Sequence, residues 1–281
     1  MRPKRITQVL LYVAAIAVAI FMLAPFVWLL LASIHTQADL VTLPLRWWPS
    51  PVYLQRYLLL FTDQTNTNAV EFRAALGNSL IVASVVVVIS MIVGIFGAYA
   101  FSRMRFKGRR GILMAFLFTY ILPQIALVVP LFATLNSLNL LNKKTGLIIV
   151  DCSLVVPFVL WILSNFFLTI PPELEESAWI DGASRVGALF RIVLPSAGPG
   201  IFAAGMFAFL LAWDEFMYAL SFAHTNVAKT LPVAIAEFSA QHSTDFGLVA
   251  AGGVIAALPP VILAIIFQRY VVSGLVSGAV K

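Results

Sequence analysis

The sequence predicts an all-α membrane protein: a bundle of six transmembrane helices with the N- and C-termini on the cytoplasmic side. Of its 281 residues, 61% are hydrophobic and only 11% are charged, whereas soluble domains are about 45 to 50% apolar and about 25% charged. No stretch is both polar enough and long enough to build a soluble domain. We therefore expect one membrane domain over residues 1–281.

Six apolar runs have the length that an α-helix needs to cross a membrane, because about 30 Å of hydrocarbon at about 1.5 Å per residue requires about 20 residues. The predicted spans are 9–34, 74–101, 112–135, 145–168, 198–222 and 246–267. The first span follows basic residues, as the apolar part of a secretory signal does, but it is much longer than that part. We interpret it as a retained span.

Basic residues predict the orientation, because Lys and Arg are enriched in cytoplasmic loops. With the N-terminus inside, twelve of the 18 fall on the cytoplasmic side. These twelve are Arg2, Lys4, Arg5, Arg103, Arg105, Lys107, Arg109, Arg110, Arg185, Arg191, Arg269 and Lys281. The cluster between the second and third spans also suits contact with anionic lipid head groups. Topology thus explains the formal charge of +6, and we expect no nucleic-acid partner.

Small residues and helix breakers mark several spans. Gly94 and Ala98 form a small-xxx-small pair, which predicts close helix packing. Helix breakers within spans include Pro123, Pro130, Pro157, Pro259 and Pro260. Helix breaks are tolerated where neighbouring helices or a cavity satisfy the freed carbonyls, so these prolines hint weakly at a transport path.

The segment 171–195, between the fourth and fifth spans, predicts two short helices joined by a tight turn. Pro172 suits the first position of a helix, and glutamates in the first turn are favoured by the helix dipole. Gly182 ends this helix, because glycine adopts the left-handed conformation without steric cost. Ser184 then caps a second helix, which Pro195 stops. The apolar stripe of this second helix is Val186, Leu189, Phe190 and Val193.

The identities and spacing in this loop resemble a known family. The matching residues are Glu176, Ser177, Ala178, Asp181, Gly182, Ala183, Phe190, Ile192, Leu194 and Pro195. They are similar to the EAA loop of the permease subunits of bacterial ABC importers, in particular those of carbohydrate-uptake systems for maltose, trehalose and glycerol phosphate. The stretches 213–216 and 274–281 resemble further segments of these permeases. Ser177 stands where the family usually has alanine, and Asp214 where it more often has asparagine.

The resemblance implies a type I ABC importer permease of the bacterial inner membrane, with its core over about 74–268. In this family the first helix of the loop is a coupling helix, seated in a cleft on a cytoplasmic ATPase subunit. The residues that this resemblance assigns to coupling are Glu176, Ser177, Ala178, Asp181, Gly182, Ala183 and Pro195. The implied partners are a second homologous permease subunit, two ATP-binding subunits, an extracytoplasmic substrate-binding protein, membrane lipid and a sugar or sugar-like solute.

We expect neither catalysis nor a cofactor in this chain. A phosphate-binding loop for ATP needs a Gly-Lys dipeptide, which the sequence does not contain. ATP and Mg²⁺ are therefore expected in the partner ATPase. The three histidines, His35, His224 and His242, lie far apart near the predicted outer ends of the spans, where we expect them to face solvent rather than bind a metal.

Acids at membrane depth are candidates for the translocation path, because an ionisable group there is costly unless it faces protein or a wet cavity. Asp151 in the fourth span and Asp214 and Glu215 in the fifth are predicted to share one outer-leaflet layer. Their oxygens suit sugar hydroxyls, and the neighbouring rings of Trp213 and Tyr218 suit stacking on a sugar. The alternative is structural, with the acids capping helix ends and Trp213 at the membrane interface.

Three other functions fit parts of the sequence. One is an ABC importer permease for a solute that is not a sugar. Another is a self-sufficient channel or ion-coupled carrier, in which the loop merely lies on the lipid surface. The third is a binding module or scaffold without transport. Only the ABC permeases require a separate ATPase, so a co-purifying ATPase distinguishes them from the channel or carrier.

Overall fold

The structure is a computed structural model that describes the backbone of residues 5–238 and 245–279 and the side chains of 6–238 and 245–268. Outside these ranges lie Arg2, Lys4, His242 and Lys281, and the side chains from Arg269 onward, including those of the C-terminal stretch 274–281. Within the described ranges the chain is mostly helical and has no β-strand, which confirms the predicted all-α class.

The helices follow the predicted spans closely at most of their ends. In chain order they are α1 (Arg5–Ile34), α2 (Gln37–Val41), α3 (Gln55–Thr62), α4 (Thr67–Arg103), α5 (Arg109–Ile121), α6 (Gln124–Ser137), α7 (Lys144–Leu168), α8 (Glu173–Ile180), α9 (Arg185–Ala188), a π-helical turn (Leu189–Val193), α10 (Leu194–Ser196), α11 (Gly198–Trp213), α12 (Met217–Phe222), α13 (Leu231–Phe238) and α14 (Phe246–Ala279).

Four stretches of the described chain are long and apolar enough to cross a membrane as single helices. They are Ile6–Ile34, Thr67–Arg103, Lys144–Leu168 and Phe246–Gln268. Two helix pairs pass the same test together but are sharply bent, by 97° between α5 and α6 and by 83° between Arg185–Ser196 and Gly198–Trp213. The count is therefore four, or up to six if each bent pair is one span.

The predicted spans 112–135 and 198–222 are not continuous helices. Between α5 and α6, Leu122 is extended with a ψ of 131°, because the ring of Pro123 disfavours the helical conformation in the residue before it. The other predicted span divides into α11, which ends at Trp213, and α12, which begins at Met217. Both breaks leave short non-helical backbone inside an otherwise apolar run.

The chain divides into two compact units, which within the described ranges are 5–73 with 234–238 and 245–257, and 74–233 with 258–279. In the first unit, Arg56 is buried, donates to the carbonyl of His35 and pairs with Asp245 at 3.0 Å. The His35 ring is also buried, with its nitrogens 2.6 Å and 2.9 Å from the carbonyl oxygens of Leu31 and Arg46. The expectation that His35 faces solvent was therefore wrong, because backbone carbonyls surround its ring.

In the second unit, small residues let α7 pack closely against two other helices. A Cβ atom on Gly94 of α4 would lie 2.5 Å from Cγ1 of Val159 in α7, and Ala98 is fully buried. Gly200 of α11 likewise lies directly against the ring of Phe166 in α7. The predicted close packing at Gly94 and Ala98 is confirmed. This unit contains both the loop 171–195 and the predicted intramembrane acids.

Candidate functional site

The first helix of the loop, α8, ends at Gly182 as the sequence predicts. Gly182 adopts the left-handed conformation, with a φ of +86°. Its amide donates to the carbonyl of Trp179 at 3.0 Å, and the amide of Ala183 donates to that of Ala178 at 2.9 Å. These two bonds satisfy carbonyls that would otherwise be left free at the helix end. The turn thereby fixes the direction in which the chain leaves α8.

Two serines of the loop make different kinds of hydrogen bond. The Ser184 hydroxyl accepts from the amide of Gly187 at 3.1 Å, which confirms the predicted cap of the second helix. The Ser177 hydroxyl instead donates back to the carbonyl of Glu173 at 2.9 Å, along the exposed side of α8. Ser177 therefore occupies the usual alanine position without leaving its polar group unsatisfied.

The second helix does not stop at Pro195 but runs on through Ser196, so that prediction was wrong. A proline has no amide hydrogen, and its ring clashes with the carbonyl four residues earlier in an ordinary α-helix. Here the helix widens into the π turn Leu189–Val193, in which the amide of Leu194 reaches back five residues to the carbonyl of Leu189. This wider turn accommodates the proline inside the helix.

The predicted apolar stripe of the second helix is only partly covered. Leu189 and Val193 are buried, whereas Val186 and Phe190 remain exposed. The Phe190 ring still contacts that of Phe96 edge-on, with ring centroids 6.1 Å apart. The second helix is therefore held to α4 through only part of the stripe.

The residues assigned to coupling lie mostly on the surface of the loop. Those exposed are Glu176, Ser177, Asp181, Gly182 and Pro195, and those partly covered are Ala178 and Ala183. The residue that the sequence analysis missed is Glu175, whose exposed fraction is only 1%. Its two oxygens bind the Tyr99 hydroxyl, at 2.9 Å, and the Arg103 guanidinium. One acid of α8 thus points into the protein while its neighbours point outward.

A cavity of about 590 Å³ lies in the second unit, between α7 and the two helix breaks. Its lining residues are Tyr120, Leu122, Gln124, Asp151, Leu154, Val155, Phe158, Phe207, Leu210, Leu211, Asp214, Glu215, Phe216 and Met217. The structure thus brings the three predicted acids to one cavity. Trp213 is not among the lining residues; it is buried, and its ring stacks on Phe209 with centroids 5.4 Å apart.

The two buried acids of the cavity differ in their hydrogen bonding. Glu215 accepts from the amides of Tyr218 at 2.7 Å and Ala219 at 2.9 Å, one with each oxygen, and so caps α12. Asp151 has a buried Oδ1 without a hydrogen-bond partner among the residues that the structure describes, and the buried Tyr218 hydroxyl is in the same situation. Asp214 is exposed at the end of α11.

The cavity also contains residues that the sequence analysis did not single out. Tyr120, Leu122 and Gln124 reach it because the chain bends between α5 and α6. The signal was Pro123, whose position inside a span indicated a break but not the direction of the bend. Within the described ranges, no three His, Cys, Asp or Glu side chains are placed to hold a metal ion.

The helical fold, the surface hairpin and the cavity between broken helices define a membrane permease. The family described as binding-protein-dependent transport system inner membrane component matches residues 87–277. The chain belongs to this family, which confirms the resemblance drawn from the loop.

Relatives named as sugar permeases match almost the whole chain. The sulfoquinovosyl glycerol transport system permease protein SmoH of Agrobacterium fabrum is 38% identical over 270 residues, covering 96% of this chain and 93% of its own. The trehalose/maltose transport system permease protein MalG of Thermococcus litoralis is 38% identical over 282 residues, covering 100% and 99%.

Solved structures share the fold at lower identity. A bacterial ABC transporter involved in the import of the acidic polysaccharide alginate gives a TM-score of 0.77 at 22% identity, covering 96% of this chain and 99% of that one. An inward-facing methionine ABC transporter, MetNI, gives a TM-score of 0.57 at 18% identity, covering 72% and 94%. These likenesses show the fold alone.

Family membership states the class of activity. The chain is a non-catalytic permease subunit of an ABC importer in the inner membrane, and the ATPase is a separate chain. A self-sufficient channel or ion-coupled carrier does not fit this membership.

Proposed function

We propose that this chain forms half of the translocation path of an ATP-driven importer for a sugar or sugar-like solute, and that α8 couples it to a cytoplasmic ATP-binding subunit. The complete importer contains a second homologous permease, two such subunits holding ATP and Mg²⁺, and an extracytoplasmic substrate-binding protein. The names of the sugar permeases that match nearly the full chain support the solute class.

The observation that carries the coupling role is the apolar surface of α8. Ile180 is 87% exposed, and Leu174 and Trp179 are exposed on the same short helix. Exposed apolar side chains rimmed by polar residues are typical of a protein interface. Glu176 and Asp181 supply this polar rim. A cleft on the ATP-binding subunit would cover these apolar side chains.

The test is co-purification of the importer with its ATP-binding subunit. Ile180→Asp places a charge in the proposed interface, and we expect less ATP-binding subunit per permease. Phe106→Asp is the matched control, because Phe106 is also an exposed apolar residue but lies in the segment between α4 and α5. Equal recovery of the ATP-binding subunit with both variants and the wild type would contradict docking through α8.

The membrane arrangement that we propose has six spans, with α5 and α6 together as the third and α11 and α12 together as the fifth, and with both termini and the loop 171–195 cytoplasmic. The distribution of basic residues supports it, since twelve of the 18 then fall on the cytoplasmic side. Residues 1–281 then form a single permease domain. Labelling of single cysteines by a membrane-impermeant reagent, placed in each loop of a Cys152→Ala background, tests the arrangement.

We assign the cavity to the solute path. Its volume of about 590 Å³ suits a small ligand, and broken helices around a cavity are a recurrent way to build transport sites. Asp151 supports this assignment most directly, since its buried Oδ1, which has no partner among the described residues, is free to accept a hydrogen bond from a solute hydroxyl group. Asp214 and Glu215 also line this cavity, whereas Trp213 does not.

The solute is identified with a panel of radiolabelled sugars, including maltose, trehalose and an anionic sugar, supplied to the complete importer in proteoliposomes with its binding protein. Import of at least one neutral sugar is expected. The fold itself does not decide the solute, because the methionine transporter shares it. Import of an amino acid in place of every sugar would support the other permease function.

A further inference from the structure

Three side chains join the loop to the end of α4 in one closed polar cluster. The Tyr99 hydroxyl donates to Glu175 Oε2 at 2.9 Å, and the Arg103 Nε donates to Glu175 Oε1. Arg103 Nη2 also donates to the carbonyl of Ile170 at 2.8 Å, in the segment between α7 and α8. We call Tyr99, Arg103 and Glu175 the anchor cluster. It joins α4 both to α8 and to the segment between α7 and α8.

Of the three neighbouring acids in the first turn of α8, only one is buried and takes part in the anchor cluster. Glu173 and Glu176 of the same helix turn are exposed, whereas Glu175 is buried and Tyr99 is nearly so. Both carboxylate oxygens of Glu175 are bound, and the charge is neutralised by Arg103. A buried charge pair with all its hydrogen bonds made holds one geometry, and removal of one partner leaves the other charge uncompensated.

The anchor cluster lies at one end of a continuous packed route to the cavity. From Arg103 the route follows α4 to Gly94, which packs directly against Val159 of α7. One turn earlier in α7, Val155 lines the cavity, and Asp151 does so one turn before that. A rigid displacement of α8 can therefore reach the cavity wall through side chains in contact.

We propose that Tyr99, Arg103 and Glu175 are positioning residues that make α8 and α4 move as one body when the ATPase moves. The inference rests on the proposed coupling role of α8. Without the anchor cluster, α8 still docks on the ATP-binding subunit, but its displacement is absorbed within the loop. ATP is then hydrolysed without a matching import of solute.

The decisive variant removes both charges together, Arg103→Met with Glu175→Gln. No buried charge is left unpaired, so the importer assembles even though the connection is lost. The matched control pair is Arg105→Met with Glu173→Gln, which makes the same changes at exposed residues without an ion pair in the described structure. The single Arg103→Met variant leaves Glu175 unpaired, and we expect it to lower recovery of the assembled importer.

The experiment uses the complete importer in proteoliposomes with Mg-ATP and the sugar that the wild type imports fastest from the panel. Recovery of the ATP-binding subunit, ATP hydrolysis and import are measured on each preparation. For the Arg103→Met/Glu175→Gln pair, recovery and hydrolysis stay within about twofold of the wild type, and import per ATP falls about fivefold or more. Tyr99→Phe, which keeps the ion pair, gives a smaller loss.

If the anchor cluster only stabilised the fold, the result would differ, because a double variant that assembles would then import solute normally. Wild-type import per ATP in the double variant, or an equal loss in the control pair, overturns the inference while leaving the coupling role of α8 intact. Failure of the double variant to assemble, with normal assembly of the control pair, also overturns it. A wild-type chain that recovers no ATP-binding subunit overturns the coupling role itself.

Discussion

Asp151 and Glu215 line the same cavity, but only Glu215 has both carboxylate oxygens bound by the protein. Glu215 is committed to the first turn of α12, whereas Asp151 presents a buried oxygen for which the described residues supply no partner. Replacement of each by its amide should therefore have a different effect.

For Glu215→Gln, one backbone amide of α12 faces a side-chain NH₂ group instead of an oxygen. A buried donor left without an acceptor costs about 1–3 kcal/mol, so the expected result is a lower thermal midpoint and poorer assembly. Asp151→Asn keeps the shape and should lower import per assembled complex with the midpoint nearly unchanged. Asp214→Asn introduces the residue that is more common in the family and should cause the smallest loss of import. The reverse order would argue for a path role of Glu215 and a structural role of Asp151.

Gly182→Ala tests the turn that ends α8. The alanine side chain would meet open space, so the only cost is the left-handed backbone, about 1–2 kcal/mol. We expect reduced recovery of the ATP-binding subunit and reduced import. Gly111→Ala is the control, because that glycine also faces open space but has no positive φ. If both variants behave like the wild type, the geometry of this turn does not matter for coupling.

Ser184→Ala and Ser177→Ala separate a helix cap from a neutral surface hydroxyl. Loss of the Ser184 cap costs about 1 kcal/mol, which should speed hydrogen exchange at the amide of Gly187 by about fivefold. Ser177→Ala restores the residue usual in the family and removes only a bond back to its own helix. Exchange and import should then stay at wild-type values. Faster exchange at Gly187 in both variants would show that the effect is not specific to the cap.

Pro123→Ala tests whether the break between α5 and α6 shapes the cavity. Without the proline ring, Leu122 is free to adopt helical geometry, and Tyr120 and Gln124 would no longer face the cavity together. Import per assembled complex should fall. Pro130→Ala, inside α6, is the control and should leave import unchanged. Full import by the Pro123→Ala variant would indicate that neighbouring helices alone impose the bend.

Local chemistry made the loop predictable, whereas tertiary contacts decided the parts that were missed. Gly182 and Ser184 act through hydrogen bonds within a few residues of themselves, so their roles can be deduced from sequence. Glu175 could not be told apart from its acidic neighbours, because the residues that distinguish it, Tyr99 and Arg103, lie 76 and 72 residues earlier in the chain. His35 was misjudged for the same reason, since the carbonyl of Arg46 covers a ring that the sequence alone leaves exposed.

Only some of the residues that line the cavity could be predicted from the sequence, for a related reason. The high cost of a charge at membrane depth singled out Asp151, Asp214 and Glu215 without any knowledge of the fold. Tyr120 and Gln124 are ordinary residues of an apolar span, and only the direction of the bend at Pro123 brings them to the acids. A proline predicts where a helix breaks, but packing determines the direction.

The π turn Leu189–Val193 lets its helix hold one residue more than regular α-helix would, because the hydrogen bond from Leu194 to Leu189 spans five residues instead of four. Deleting one residue within this turn would restore regular α-helix and leave Arg185–Ala188 at nearly the same rotational phase relative to the residues after the turn. Deleting one residue from the regular helix α8 would instead rotate the part before the deletion by about 100°. The chain is therefore expected to tolerate a one-residue deletion in the π turn better than in α8.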